Sequence, residues 1–349
     1  MFELKNILRE NIKNLKPYSS ARDEFQGEAS VYLDANENAF GSPLEQNYNR
    51  YPDPMQYAVK KRLSDIKGVP PRNIFLGNGS DEAIDILFRS FCNPGTDNVI
   101  LVPPTYGMYE VSANINDVET RKVNLTDEYQ LNMEGIAEAI DKNTKLIFIC
   151  SPNNPTGNSI HREDIETLLT NFNGLVVVDE AYINFSRQKT FIQELTEYAN
   201  LVVLQTLSKA WGLAALRVGM AFASEEIIEV MNKVKPPYNV NEASQQLALQ
   251  ALQNVEQVNQ WIKETLSERD QLVLNLKAFD FVLEIYPSDA NFILVKTTDA
   301  KGIYNFLVSH GIIVRDRSKV ELCEGALRFT IGTPEENKTL LNTLKEYQA

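Results

Sequence analysis

The chain has 349 residues, 43% hydrophobic and 23% charged, with a formal net charge of −13. That length exceeds the size at which single cores usually stop growing, so a large unit with a smaller companion is expected. The acidic balance works against nucleic acid and anionic membranes as partners, and three widely spaced cysteines, Cys92, Cys150 and Cys323, suit reduced thiols in the cytoplasm without zinc-ligand spacing.

The opening MFELKNILRENIKNLKPY mixes acids and bases with apolar residues at helical spacing and lacks the unbroken apolar stretch of an export signal. From about residue 70 to 225, short apolar runs alternate with helical patterns: NIFLG, NVILVPP, TRKVNL, KLIFICSP, GLVVVDE, NLVVLQTLS and LRVGMAFAS. Runs such as LIFI and LVVV are apolar on successive residues, which predicts strands of a mostly parallel sheet covered on both faces by helices. All are far below the roughly 20 residues that span a bilayer. One long helical stretch is predicted from about Asn241 to Phe279, and the tail alternates strand and helix signals as a small α+β unit would. The expected organisation is an arm, 1–30, packing on the small unit; a large unit, 31–278; and a small unit, 279–349.

Ligands of open parallel sheets bind beyond the carboxyl ends of the strands. After NIFLG come Gly77 and Gly79, then Ser80 and Asp81 opening a helix whose free amides suit a phosphate. A dinucleotide fingerprint is disfavoured because Glu82 stands where its third glycine belongs. After KLIFIC, the turn SPNNPTG presents Asn153 and Asn154 from a stiff backbone; after GLVVV, Asp179 ends a strand that reads as buried, with Tyr182 nearby. After NLVVLQ come Thr206, Ser208 and Lys209, and eight residues beyond Lys209 stands Arg217, with only Ala, Trp, Gly and Leu between.

A lysine in apolar surroundings loses proton affinity, and the neutral amine is the form that adds to a carbonyl as a Schiff base. Pyridoxal 5'-phosphate supplies such a carbonyl, a ring nitrogen that needs an acid such as Asp179, and a phosphate that needs amides, hydroxyls and a guanidinium. Lys209 is thus the expected attachment point. The Ser80 helix end, Thr206, Ser208 and Arg217 are candidates for the phosphate, Asn154 and Tyr182 for the phenolate oxygen, and Tyr106 of PPTYGMY for the ring face.

Through SPNNPTG, DEAY and SKAWGLAALRVG in order, the sequence resembles the aspartate-aminotransferase superfamily of pyridoxal phosphate enzymes, fold type I. The resemblance covers nearly the whole chain. It implies an α/β large domain on a seven-stranded, mostly parallel sheet, a small terminal domain, and a homodimer with sites at the subunit boundary. PYSSARDE, LDANEN, NRYPDP, GNGSDE, IIVRDRS and LRFTIGT are most similar to the histidinol-phosphate aminotransferase branch. That likeness implies transamination of L-histidinol phosphate with 2-oxoglutarate. It also implies that Tyr51 crosses to the other subunit's cofactor phosphate, that Tyr18, Arg315 and Arg328 surround the substrate phosphate, and that Asn36 lines the same pocket. Aromatic amino acid aminotransferases and threonine-phosphate decarboxylases share many of these motifs, and a non-catalytic regulator is a remoter alternative. His161 and His310 read as structural, Glu180 as an exposed turn residue, and Arg317 and Lys319 as surface charges.

Overall fold

The structure, a computed structural model, describes residues 2–18 and 30–347. Two short helices, α1 (Leu4–Ile7) and α2 (Glu10–Lys13), precede α3 (Tyr57–Lys67). A strand and helix alternation follows: β1 (Ile74–Asn78), α4 (Gly79–Phe91), β2 (Asn98–Leu101), α5 (Met108–Ile115), β3 (Glu119–Lys122), α6 (Met133–Ala139), β4 (Thr144–Cys150), α7 (Arg162–Asn171), β5 (Leu175–Asp179), β6 (Leu201–Thr206) and β7 (Val218–Ala223). After α8 (Glu225–Val234), α9 (Glu242–Ala251) and α10 (Val255–Leu276) come β8 (Val282–Ile285), β9 (Phe292–Thr297), α11 (Ala300–Ser309), β10 (Arg315–Asp316), β11 (Ala326–Thr330) and α12 (Pro334–Leu344).

The first seven strands form one sheet in the order β1-β7-β6-β5-β4-β2-β3, in which β7 alone runs against its neighbours. Successive apolar residues serve opposite faces, as the pleat requires. Ile147, Ile149, Val176 and Val178 join one core cluster, whereas Leu146, Phe148, Leu175 and Val177 join the other. Each such side chain contributes roughly 1.5–3 kcal/mol when fully buried, so the predicted two-faced cover is the main support of this layer.

The last four strands form an antiparallel sheet, β10-β11-β9-β8, covered by Leu272 and Leu276 of α10, Ile303 and Leu307 of α11, and Leu340 and Leu344 of α12. Thr333 and Glu336 form a reciprocal capping box at the start of α12, with Pro334 in its first turn.

Two expectations are corrected. The described part of the arm docks on the larger layer: Ile7 is buried among Phe75, Ile84 and Ile227. Arg9 Nη1 donates to the Arg89 carbonyl at 2.7 Å, and Lys233 Nζ donates to the Ile12 carbonyl at 2.8 Å. The last carbonyls of α4 need donors and the arm brings one. The predicted single helix from Asn241 to Phe279 is two, α9 and α10, because the chain turns at Leu252–Asn254, where Leu252 is buried in the large core.

Candidate active site

The carboxyl ends of β1, β2, β4, β5 and β6 lie on one edge of the large sheet, and the chain enters β7 at that same edge directly after Arg217. A cavity of about 730 Å³ opens there, lined by Gly79, Ser80, Asp81, Tyr106, Asn154, Asp179, Tyr182, Thr206, Ser208, Lys209 and Arg217. Arg315, Arg317 and Arg328 of the small sheet close its other side.

At one end the first turn of α4 meets β7. Gly79 has φ +74, and a Cβ there would lie 2.4 Å from Arg217 Nη2; a Cβ on Gly219 would lie 2.1 Å from the Ser80 nitrogen. Gly79 is thus favoured for its positive φ, while Gly219 is required by the close approach of the Gly79–Ser80 backbone. The Gly79 amide donates to the Arg217 carbonyl at 2.8 Å, while the Ser80 and Asp81 amides stand in a first turn that offers no intrahelical acceptor. Thr206 Oγ1 donates to Ser208 Oγ at 2.9 Å and accepts from the Ser208 amide at 3.0 Å. Arg217 Nη2 lies 3.4 Å from Asp81 Oδ2, a loose and solvent-exposed pairing. Amides, hydroxyls and a half-exposed guanidinium together make an anion cradle.

Asp179 ends β5 beside Cys150 of β4 and is buried. Burial pushes its carboxyl up to about 6, against the pull of the Tyr109 hydroxyl and the Ala181 amide, which donate to it at 2.7 and 3.0 Å. Lys209 Nζ stands 5.5 Å from the centre of the Tyr182 ring. Burial holds this amine below the ordinary lysine range, Arg328 adds to the effect, and Asp179 and Asp81 oppose it. Of the apolar run around Lys209, Leu207, Ala210 and Trp211 are buried, whereas Ala214 lines the cavity with it. Asn153 is a staple of its turn, donating to the Pro104 carbonyl and to Thr156, whereas Asn154 reaches the cavity, with Nδ2 3.5 Å from Tyr182 Oη and Oδ1 accepting from Arg328.

Arg315 and Arg328 are directly opposed on β10 and β11. Arg317, read from sequence as a surface charge, lines the same cavity, and the Nε atoms of Arg317 and Arg328 are buried without a partner. Burial first, and then the neighbouring guanidiniums, holds Arg317 and Arg328 below the ordinary arginine range, a crowding of positive charge that calls for an anion. Tyr18 is exposed, and the residues that follow it, 19–29, lie outside the described structure. Tyr51 and Asn36 share a second cavity of about 510 Å³, where Tyr51 stacks on Tyr238 at 4.5 Å. Within one chain these two do not reach Lys209's cavity.

Sequence reading missed Tyr109, which only its place three residues after Tyr106 hinted at, and misjudged Glu180. The Glu180 side chain is buried on the far side of the strand end from Asp179, accepting from the Phe191 amide at 2.6 Å, from Gln205 Nε2 at 2.9 Å and from the Thr190 hydroxyl. Burial pushes its carboxyl up to about 7. The period-2 alternation at the end of β5 was the available signal.

The family model described as aminotransferase class I and II matches residues 30–344. The chain belongs to that family. This aminotransferase is 55% identical over 346 residues to a histidinol-phosphate aminotransferase of Cytophaga hutchinsonii, covering 99% of each chain. It is 55% identical to one of Bacteroides thetaiotaomicron over the full length of both. The solved structure of histidinol-phosphate aminotransferase from Sinorhizobium meliloti in complex with pyridoxal-5'-phosphate superposes with a TM-score of 0.79 at 23% identity, covering 89% of each chain. The expected α/β fold with a mostly parallel seven-stranded sheet is borne out.

Proposed function

We propose that this aminotransferase transfers the amino group of L-histidinol phosphate to 2-oxoglutarate, giving imidazole-acetol phosphate and L-glutamate in histidine biosynthesis, with pyridoxal 5'-phosphate as cofactor. The observation that carries the reading is the meeting of Arg315, Arg317 and Arg328 over the cavity of Lys209 and Asp179, with two buried Nε atoms unpartnered. A substrate bearing a phosphate supplies the acceptors, and the names of the close relatives support the same choice.

When bound, pyridoxal phosphate contributes a carbonyl that captures amines and a ring that accepts the electron pair of the substrate carbon. The cradle that a Cβ at Gly79 would fill and the donor set fit it. Gly79, the Ser80 and Asp81 amides, Thr206, Ser208 and Arg217 would hold the phosphate. Tyr106 would cover the ring, Asn154 and Tyr182 would donate to its oxygen, and Asp179 would accept from its nitrogen. Lys209, its proton affinity lowered by burial, is placed to take up and return a proton at Nζ. Arg315 and Arg328 orient the substrate phosphate, with Tyr18 as a neutral donor.

The working form is a homodimer in the cytoplasm. Segment 31–57 carries Leu33 at 86% and Phe40 at 102% exposure beside Val31, Leu44 and Tyr48, an apolar surface that a second subunit would cover. Tyr51 and Asn36 belong to that segment and would complete the other subunit's site. A unit of 31–278 for the cofactor and one of 279–349 for the substrate arginines remains the proposed division. Among the described residues no helix is long and apolar enough to cross a membrane.

The test is the visible absorption of the cofactor-loaded protein. L-Histidinol phosphate alone is expected to remove the band and 2-oxoglutarate to restore it, with ping-pong kinetics. A band that the phosphorylated amine leaves unmoved would overturn the substrate assignment.

A further inference from the structure

Tyr109 lies on α5, wholly buried, with its ring stacked on Phe148 of β4 at 4.9 Å and edge-on to Tyr106 at 5.5 Å. A phenylalanine would pack equally well in that place, and a buried hydroxyl is costly unless bonded. The hydroxyl is aimed at Asp179 Oδ2, 2.7 Å away, and the other oxygen, Oδ1, is taken by the Ala181 amide. The carboxylate is thus gripped at both oxygens, once by its own turn and once by a helix 70 residues earlier in the chain.

We propose that Tyr109 is the positioning residue of Asp179, fixing the carboxylate's rotamer and keeping it ionised for the acidic partner role. This deepens the proposed function and rests on Asp179 facing the cofactor ring. The charged and titratable groups around Asp179 are Tyr106 before α5, Tyr109 on α5, Cys150 on β4, Tyr182 after β5, Lys209 after β6 and Asp81 on α4. Among the influences that oppose burial at Asp179, the Tyr109 hydrogen bond is the largest.

The test uses the full chain with Tyr109→Phe, Asp179→Asn and the double variant. Before cofactor is added, carboxyl carbon NMR of wild type and Tyr109→Phe is expected to show the Asp179 midpoint rising by about one to two pH units in the variant. In the loaded enzyme the release of pyridoxal phosphate should quicken in either single variant, and Tyr109→Phe should add little once Asp179 is already Asn. A fluorinated tyrosine at 109, of nearly the same shape but a stronger donor, should lower the midpoint. Should Asp179→Asn release cofactor as slowly as wild type, the assignment of Asp179 itself falls. An unmoved midpoint, or a full additional effect of Tyr109→Phe in the Asn background, overturns the role of Tyr109 alone.

Discussion

On the large-sheet side of the cavity, Asp179 has a donor for each carboxylate oxygen, while across from it Arg315 and Arg328 are directly opposed on neighbouring strands, and the Nε atoms of Arg317 and Arg328 are buried without a partner. Like charges placed directly opposite on a sheet are destabilising, so the small sheet carries a strain that an anion relieves. The Asp179 carboxylate carries no such mismatch. Groups that hold geometry through a reaction are satisfied by the protein, and groups that select a ligand are left for the ligand to satisfy.

The largest expected effect lies on the satisfied side. Lys209→Ala should lower kcat by roughly 10⁴-fold, the upper range for loss of a proton-transferring group, measured in steady-state turnover; a variant with near-normal turnover would break the comparison. On the unsatisfied side, Arg328→Gln should raise KM for the phosphorylated amine by about 10- to 100-fold, as expected for losing a charged hydrogen bond. Its effect on the cofactor's release should be small. An equal loss of cofactor would show that the two sides are not separate.

Glu180 sharpens the comparison from beneath the sheet. Its folded-state pKa is pushed up from an ordinary 4.5 to about 7 by burial. The folded protein therefore binds the extra proton, and the associated stability is present below pH 4.5 and is lost as pH rises to about 7. Glu180→Gln removes this dependence, so the variant's stability relative to wild type should climb across that window and level above it, read from urea unfolding at several pH values. A difference that stays flat with pH would contradict the buried reading. The smallest effect is expected at Thr333→Ala, which breaks the capping box of α12 and should cost about 1 kcal/mol in the same unfolding measurement. Both cofactor release and KM should be unchanged, because the cap supports the small unit without touching its arginines.

Much of the site was legible because its residues follow strands whose local pattern announces their ends. Runs such as LIFIC and GLVVVD declare a parallel sheet by being apolar on successive residues, and the chemistry-bearing groups Asp179, Asn154 and Lys209 stand at or just beyond strand ends, with Arg217 just before a strand begins. Local periodicity reports which faces are buried, and the type of a lone polar residue reports what it can do. Neither reports who its neighbour is. The pairing of Tyr109 with Asp179 depends on how α5 packs over β4, and the inward turn of Glu180 on partners from Gln205 and the 190–191 segment. Arg317 reached the cavity through the fold of the small sheet, and the arm chose the larger layer because Ile7 and Arg9 found a pocket and a helix end there. The sequence by itself determined the sheet, the strand ends and the reactive residue types, since these follow from short-range periodicity and side-chain chemistry. Only the tertiary structure decided which buried charges are matched and which wait for a ligand, because that depends on contacts between residues far apart in the chain.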